Sequence, residues 1–226
     1  MNPPIPNGSR RRLAALLSAA VALLLVARGY AIDVEAPTIG TLSAAQITAL
    51  KSGRVLRTMT DTMPFRGQAV ALIQAPVNQL AEILLDYPNA TKWAPSMAEM
   101  RLVSRAGNID VLEGVTDLPW PIPDRTWRMR AVIGPKTVAG RSAWTNEFQY
   151  VPGTGNINES AGYWVLAPLP DDPEWTYAKY VLYGDPGISL PDFVIRWASG
   201  SALPGIMNGL RNRHAQTYPG SKAALP

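Results

Sequence analysis

The chain has 226 residues, 47% of them hydrophobic and 17% charged, with a net charge of +4, one histidine and no cysteine. That composition suits one globular domain with appendages, and it excludes disulfides, thiolate catalysis, Cys-ligated zinc, histidine-cluster metal sites and any triad whose histidine is not His214. The positive excess lies at one end, because Arg10, Arg11, Arg12 and Arg28 precede the first acid, Asp33, and the remainder balances, which excludes the clustered cationic footprint of a nucleic-acid binder.

Residues 13–27 (LAALLSAAVALLLVA) form an uncharged apolar run behind the three arginines, and small residues Gly29 and Ala31 follow. This is the pattern of a secretory signal, and the run is short for a membrane span. We expect residues 1–31 to be a signal peptide, with an uncleaved N-terminal anchor as the competing reading. The protein is then exported, periplasmic or extracellular. Residues 32–41 read as a linker, 42–216 as one folded domain and 217–226 as a disordered tail.

Ser43 followed by Gln46 predicts a capped short helix that ends by Gly53. Strands are expected at 54–60 and 66–74. Pro76 then opens a helix in which Val77, Leu80, Ala81, Leu84 and Leu85 repeat at helical spacing. Further strands are expected at 98–105, 109–116, 125–133, 142–151, 161–168 and 175–183. Turn signals at Gly107-Asn108, Gly134-Pro135, 153–155 and 170–173 separate most of them. Strands joined by such short turns form an antiparallel meander with its helices on one face.

A last helix runs from Pro191 to His214, bent or broken around Pro204. Val194, Ala198, Ser201, Ala202, Gly205 and Gly209 form a stripe of mostly small residues along it. Such a face lies very close to a sheet, or it roofs a space that something else fills. His214, among Arg211 and Arg213, is expected at the surface, complementing the helix dipole.

Strand alternation places Trp127, Met129, Ala131 and Ile133 on one face, and Trp144, Asn146, Phe148 and Tyr150 on one face of the next strand. Trp164 and Leu166 share a third. These side chains either fill the space under the small stripe or line a pocket with a few polar tips. On the pocket reading the lining is Trp127, Met129, Ala131, Trp144, Phe148, Trp164, Leu166, Tyr180, Val194, Ala198 and Ala202. No catalytic residue and no metal ligand is assigned, and no cofactor is expected.

LSAAQITALKSGRVL (42–56) and GQAVALIQAPVNQLAEILLDYPNATKWAP (67–95) resemble the opening of START-like and polyketide-cyclase-like domains of the helix-grip superfamily, with Asp86, Tyr87, Trp93 and Pro95 matching its loop. LPWPIPDRTWRMR (118–130) is similar to a proline-containing START stretch, with Arg125 and Trp127 matching and Thr126 where Asp is usual. YVLYGDPGISLPDF (180–193) resembles the lead into the family's last helix, through Asp185, Pro186 and Pro191, with Gly187 one place early. The resemblance implies an α+β helix-grip fold, in which a curved antiparallel sheet wraps a long C-terminal helix around an internal hydrophobic cavity. It also implies a ligand such as a lipid, sterol, quinone or polyketide, with the last helix and a neighbouring loop gating the cavity. The charged pair of some sterol-binding members is matched only at its acid, Glu113, because Ala131 stands at the arginine position. Glu113 is expected to face solvent.

The expected function is therefore to bind one hydrophobic molecule and carry or shield it outside the cytoplasm, as a monomer in transient contact with membranes. Two alternatives stand beside it. One is an aromatase/cyclase-type enzyme using Tyr150, Tyr163, Tyr177 or Tyr180, and the other is a cargo-free accessory domain whose aromatics fill the core.

Overall fold

Strand chemistry organises the described part of the chain, residues 34–220 of a computed structural model. The expected export segment and residues 221–226 of the expected tail lie outside the described residues. Helix α1 (Ala44–Lys51) starts on the capping box read in the sequence: Gln46 N donates to Ser43 Oγ and Ser43 N donates to Gln46 Oε1. Strands β1 (Leu56–Met59) and β2 (Phe65–Ile73) form a hairpin. Then α2 (Val77–Leu85) and a 3-10 turn (Tyr87–Lys92) carry the chain across to β3 (Met97–Ala106). From there β4 (Ile109–Thr116), β5 (Arg125–Val138), β6 (Arg141–Tyr150), β7 (Glu159–Leu169) and β8 (Asp172–Asp185) meander back. The result is one eight-stranded antiparallel sheet in the order β1-β2-β8-β7-β6-β5-β4-β3.

The expected turn at Gly134-Pro135 is not one, since β5 runs through it to Val138. A proline is tolerated there because β4 stops pairing at Val132, so the stretch beyond has β6 as its only strand neighbour among the described residues and needs no amide on the other side. The reversal falls instead at Ala139-Gly140, both at positive φ (49° and 75°), the geometry that a two-residue hairpin requires.

The last helix is one rod in three parts: α3 (Asp192–Trp197), a π turn (Ala198–Ala202) and α4 (Leu203–Thr217). Pro204 has no amide hydrogen to give to the turn below it. The rod widens just ahead of it, where Leu203 N reaches back five residues to Ala198 O. On the inner face of the sheet, Leu203, Met207 and Leu210 pack with Leu80 and Leu84 of α2 over Ala69, Ala71, Ile73, Leu166 and Ala178.

Both faces of the sheet are covered, contrary to the expectation of helices on one side. Leu50 and Ile47 of α1 pack on Val70, Leu72 and Tyr177, whose side chains alternate with those of the inner face. The stretch read as a linker continues this outer layer. Val34 and Ile39 pack against Tyr163, Val165 and Val181, while Thr38 accepts from Lys179 and Gly40 N donates to Tyr177. At the other end, Tyr218, read as tail, packs on His214 and donates to Glu82. His214 itself is 0% exposed and pairs with Gln79 of α2 at 2.7 Å, so its expected surface position is wrong. Docking on α2 outweighs the local dipole argument, and burial lowers its pKa below 6.5.

Candidate ligand cavity

Register fixes which side chains meet on the inner face. One row across the sheet reads Ile133, Asn146, Trp164, Tyr180, Ala69, and the next reads Ala131, Phe148, Gly162, Leu182, Gly67. A Cβ on Gly162 would collide first with the Val181 carbonyl and then meet the Phe148 ring at 2.7 Å, so glycine admits both the neighbouring backbone and that ring. Tyr180 stacks on Phe148 (centroids 6.1 Å apart) and meets Trp164 at a tilt (4.7 Å). Between these aromatics and the last helix lies a cavity of about 380 Å3.

Seven of the eleven residues read as lining stand around this space: Trp127, Met129, Phe148, Trp164, Tyr180, Ala198 and Ala202. The other four do not. Trp144 and Leu166 sit one row further along, where α2 and α4 close down on the sheet. Ala131 is buried among Met129, Tyr150 and Phe148, and Val194 is buried on α3 while Trp197 makes the wall there. The small-residue stripe divides between its two readings. Ala198 and Ala202 roof the cavity, whereas Gly205 and Gly209 let the loop after the 3-10 turn lie against the helix. A Cβ on Gly205 would stand 2.8 Å from Pro95, and one on Gly209 would collide with the Trp93 carbonyl. The helix therefore packs closely on that loop as well as on the sheet.

The loop itself is anchored. Tyr87, which lines the cavity, donates to Asp110 at 2.7 Å, and Arg105 grips the same carboxylate with two bonds of 2.6 Å. Those bonds, from Arg105 first and then Tyr87, hold the Asp110 carboxyl below its usual range despite its burial. Glu113 lies on the opposite side of its strand from Leu112, paired with Arg101 and Arg128. It is absent from the cavity wall, so no charged pair of the sterol-binding kind forms around it.

Sequence reasoning missed the polar lining. Arg125, Glu159 and Asp185 line the end of the cavity where β5 and β7 begin and β8 ends. Arg125 is 8% exposed; one of its terminal amines reaches Asn156 O at 3.4 Å, and its Nε has no partner among the described residues. Glu159 Oε1 and Asn146 Oδ1 are likewise buried without a hydrogen bond among the described residues. The signal for Asn146 was present in the sequence as a lone amide on an otherwise aromatic strand face. Burial also raises the Tyr180 hydroxyl pKa, so the group stays protonated.

No family model and no curated protein sequence matches the chain. Solved structures do. A STAR-related lipid transfer protein fragment from Xanthomonas axonopodis aligns over 72% of this chain and 93% of its own, at 20% identity and TM-score 0.60. Human StAR-related lipid transfer protein 5 aligns over 92% and 99%, at 14% identity and TM-score 0.58. An aromatase/cyclase from a Streptomyces species aligns over 72% and 98%, at 13% identity and TM-score 0.53. The likeness is one of fold: an eight-stranded antiparallel sheet gripping a long C-terminal helix.

Proposed function

We propose that this chain, with the helix-grip fold of START-like domains, binds a single hydrophobic molecule in its internal cavity and carries or shields it outside the cytoplasm. The observation that carries the reading is the cavity itself, about 380 Å3 walled by Trp127, Met129, Phe148, Trp164 and Leu182 under Ala198 and Ala202. Its volume falls in the lower part of the roughly 300–1,000 Å3 range of small-molecule sites, which favours a compact ring system or a single chain over a two-chain lipid. Burial at about 25 cal/mol per Å2 of apolar surface supplies the driving force, less the cost of ordering the ligand. A protonated Tyr180 is suited to donating a hydrogen bond rather than acting as a base, which favours binding over cyclase chemistry.

Export rests on the arginines and apolar run of residues 10–27. Exchange with a membrane is supported by the loops at the charged end of the cavity. Met63 and Trp120 in loops, and Phe193 in the first turn of α3, are exposed near the strand ends that carry Arg125, Glu159 and Asp185, Trp120 by 89%. An exposed tryptophan suits a bilayer interface. The test is native mass spectrometry of the exported protein with extraction of co-purifying lipids. Near-equimolar recovery of one hydrophobic species is expected, and an empty protein that takes up no lipid in a screen refutes the reading.

A further inference from the structure

The row Ile133, Asn146, Trp164, Tyr180, Ala69 forms the closed end of the cavity wall. Beyond it, Leu166, Ala178 and Ala71 are sealed by Leu80, Met207 and Leu210. Asn146 and Tyr180 of this row line the cavity with polar groups, beside the Trp164 indole. The Asn146 side chain is 7% exposed and forms no hydrogen bond with any described residue, and its Oδ1 is wholly buried. The Tyr180 hydroxyl has no hydrogen-bond partner among the described residues either, while its ring is fixed between Trp164 and Phe148. Buried amides without partners are rare in native proteins, because their desolvation goes uncompensated. A ligand atom is the natural partner.

Charge decides which kind of atom. The charged groups that line the cavity, Arg125, Glu159 and Asp185, all stand at its other end, where β5 and β7 begin and β8 ends. An ion brought to the Asn146 row would be stripped of water with no counter-charge beside it. A neutral oxygen loses little hydration and gains two bonds, since a hydroxyl or carbonyl can accept from the Asn146 amide N–H and from the Tyr180 hydroxyl. We propose that Asn146 and Tyr180 form a neutral polar subsite at the closed end of the cavity, and that the ligand is an uncharged amphiphile entering with a hydroxyl or carbonyl first. Its apolar body then runs back along Phe148, Leu182 and Met129 toward the mouth. This rests on the carrier reading, and names the class of ligand that the carrier takes.

The test compares tetradecanol, tetradecanoate and tetradecane on the delipidated full chain, followed by tryptophan fluorescence. The wild type is expected to bind tetradecanol about tenfold more tightly than tetradecane, roughly the effect of one net hydrogen bond, and tetradecanoate no better than tetradecane. Asn146→Leu should erase the preference for the alcohol while keeping tetradecane affinity, with an unchanged or higher unfolding midpoint, because it removes an unpartnered amide. Tyr180→Phe should reduce the same preference. Retention of the preference in both variants, or a wild type that favours tetradecanoate, overturns the subsite and leaves the carrier reading standing. Failure of the wild type to bind any of the three overturns the carrier reading, and the subsite with it.

Discussion

Replacing Ala202 with tryptophan separates a hollow interior from a filled one. Ala202 belongs to the π turn that roofs the cavity, so an indole there projects into the 380 Å3 beneath it. A buried tryptophan covers about 150–250 Å2, and a ligand that forfeits contact of that order loses about 4–6 kcal/mol at ~25 cal/mol per Å2. Affinity should therefore fall at least several-hundredfold. Stability should move the other way: filling about 100 Å3 of apolar void at ~24 cal/mol per Å3 gains about 2 kcal/mol. Chemical denaturation of delipidated protein, beside a fluorescence binding titration, measures both. Weaker binding with a more stable fold is the expected pair. Unchanged binding refutes the assignment of the cavity as the ligand site, and a loss of about 1–3 kcal/mol in the delipidated protein, the mark of overpacking, shows that there was no space to fill.

The close approach of the last helix to the loop after the 3-10 turn makes Gly209→Ala informative in sign. On an exposed helix face the change would gain about 1 kcal/mol in propensity, but here the new methyl meets the Trp93 carbonyl, so denaturation should show a loss of about 1–3 kcal/mol. For His214, buried with its pKa lowered from 6.5 by desolvation, the unfolded chain takes up a proton before the folded one does. Its contribution is thus complete above pH 6.5 and is lost as pH falls below it, so His214→Asn should flatten the stability profile there in urea titrations at stepped pH. Trp120→Ala removes the most exposed aromatic near the charged end of the cavity. Transfer of a fluorescent lipid from vesicles should slow severalfold with equilibrium affinity unchanged, whereas an equal drop in both would place Trp120 in the binding site.

Elements whose signals are local were legible in the sequence. Ser43 and Gln46 named the start of α1, Gly107-Asn108 the turn after β3, and alternation placed Trp127, Met129, Phe148 and Trp164 on faces that meet. What escaped depended on partners distant in the chain. The turn at Ala139-Gly140 was hidden because alanine has no preference for positive φ, and because Gly134-Pro135 looks like a better break until it is known that β4 has already ended there. His214 was expected at the surface, yet it meets Gln79, and beside it the Arg211 guanidinium donates to Leu72 O from a buried position. The Asn146 amide stood out on its strand face, but its role in the cavity was out of reach for the same reason. Asn146 becomes a site only when register sets Trp164 and Tyr180 beside it.

A hollow centre also explains why the outer face of the sheet is so heavily dressed. At about 24 cal/mol per Å3, an open volume of 380 Å3 corresponds to about 9 kcal/mol of forgone packing, comparable with the whole stability of an ordinary domain. The inner face cannot be packed further without losing the cavity, so cohesion has to come from the other side. There α1 seals Val70, Leu72 and Tyr177, and the 34–42 stretch seals Tyr163, Val165 and Val181. That stretch is held by polar bonds as well as apolar ones. Glu35 pairs with Arg66 and accepts from Tyr163, while buried Lys179 lies 5.4 Å from the Tyr163 ring and donates to Thr38. Lys179 would be a costly buried charge if Thr38 and Glu35 were absent. A domain boundary drawn at residue 42 would therefore cut through the layer that compensates for the cavity, leaving the outer face of β7 and β8 open and that lysine without its partners.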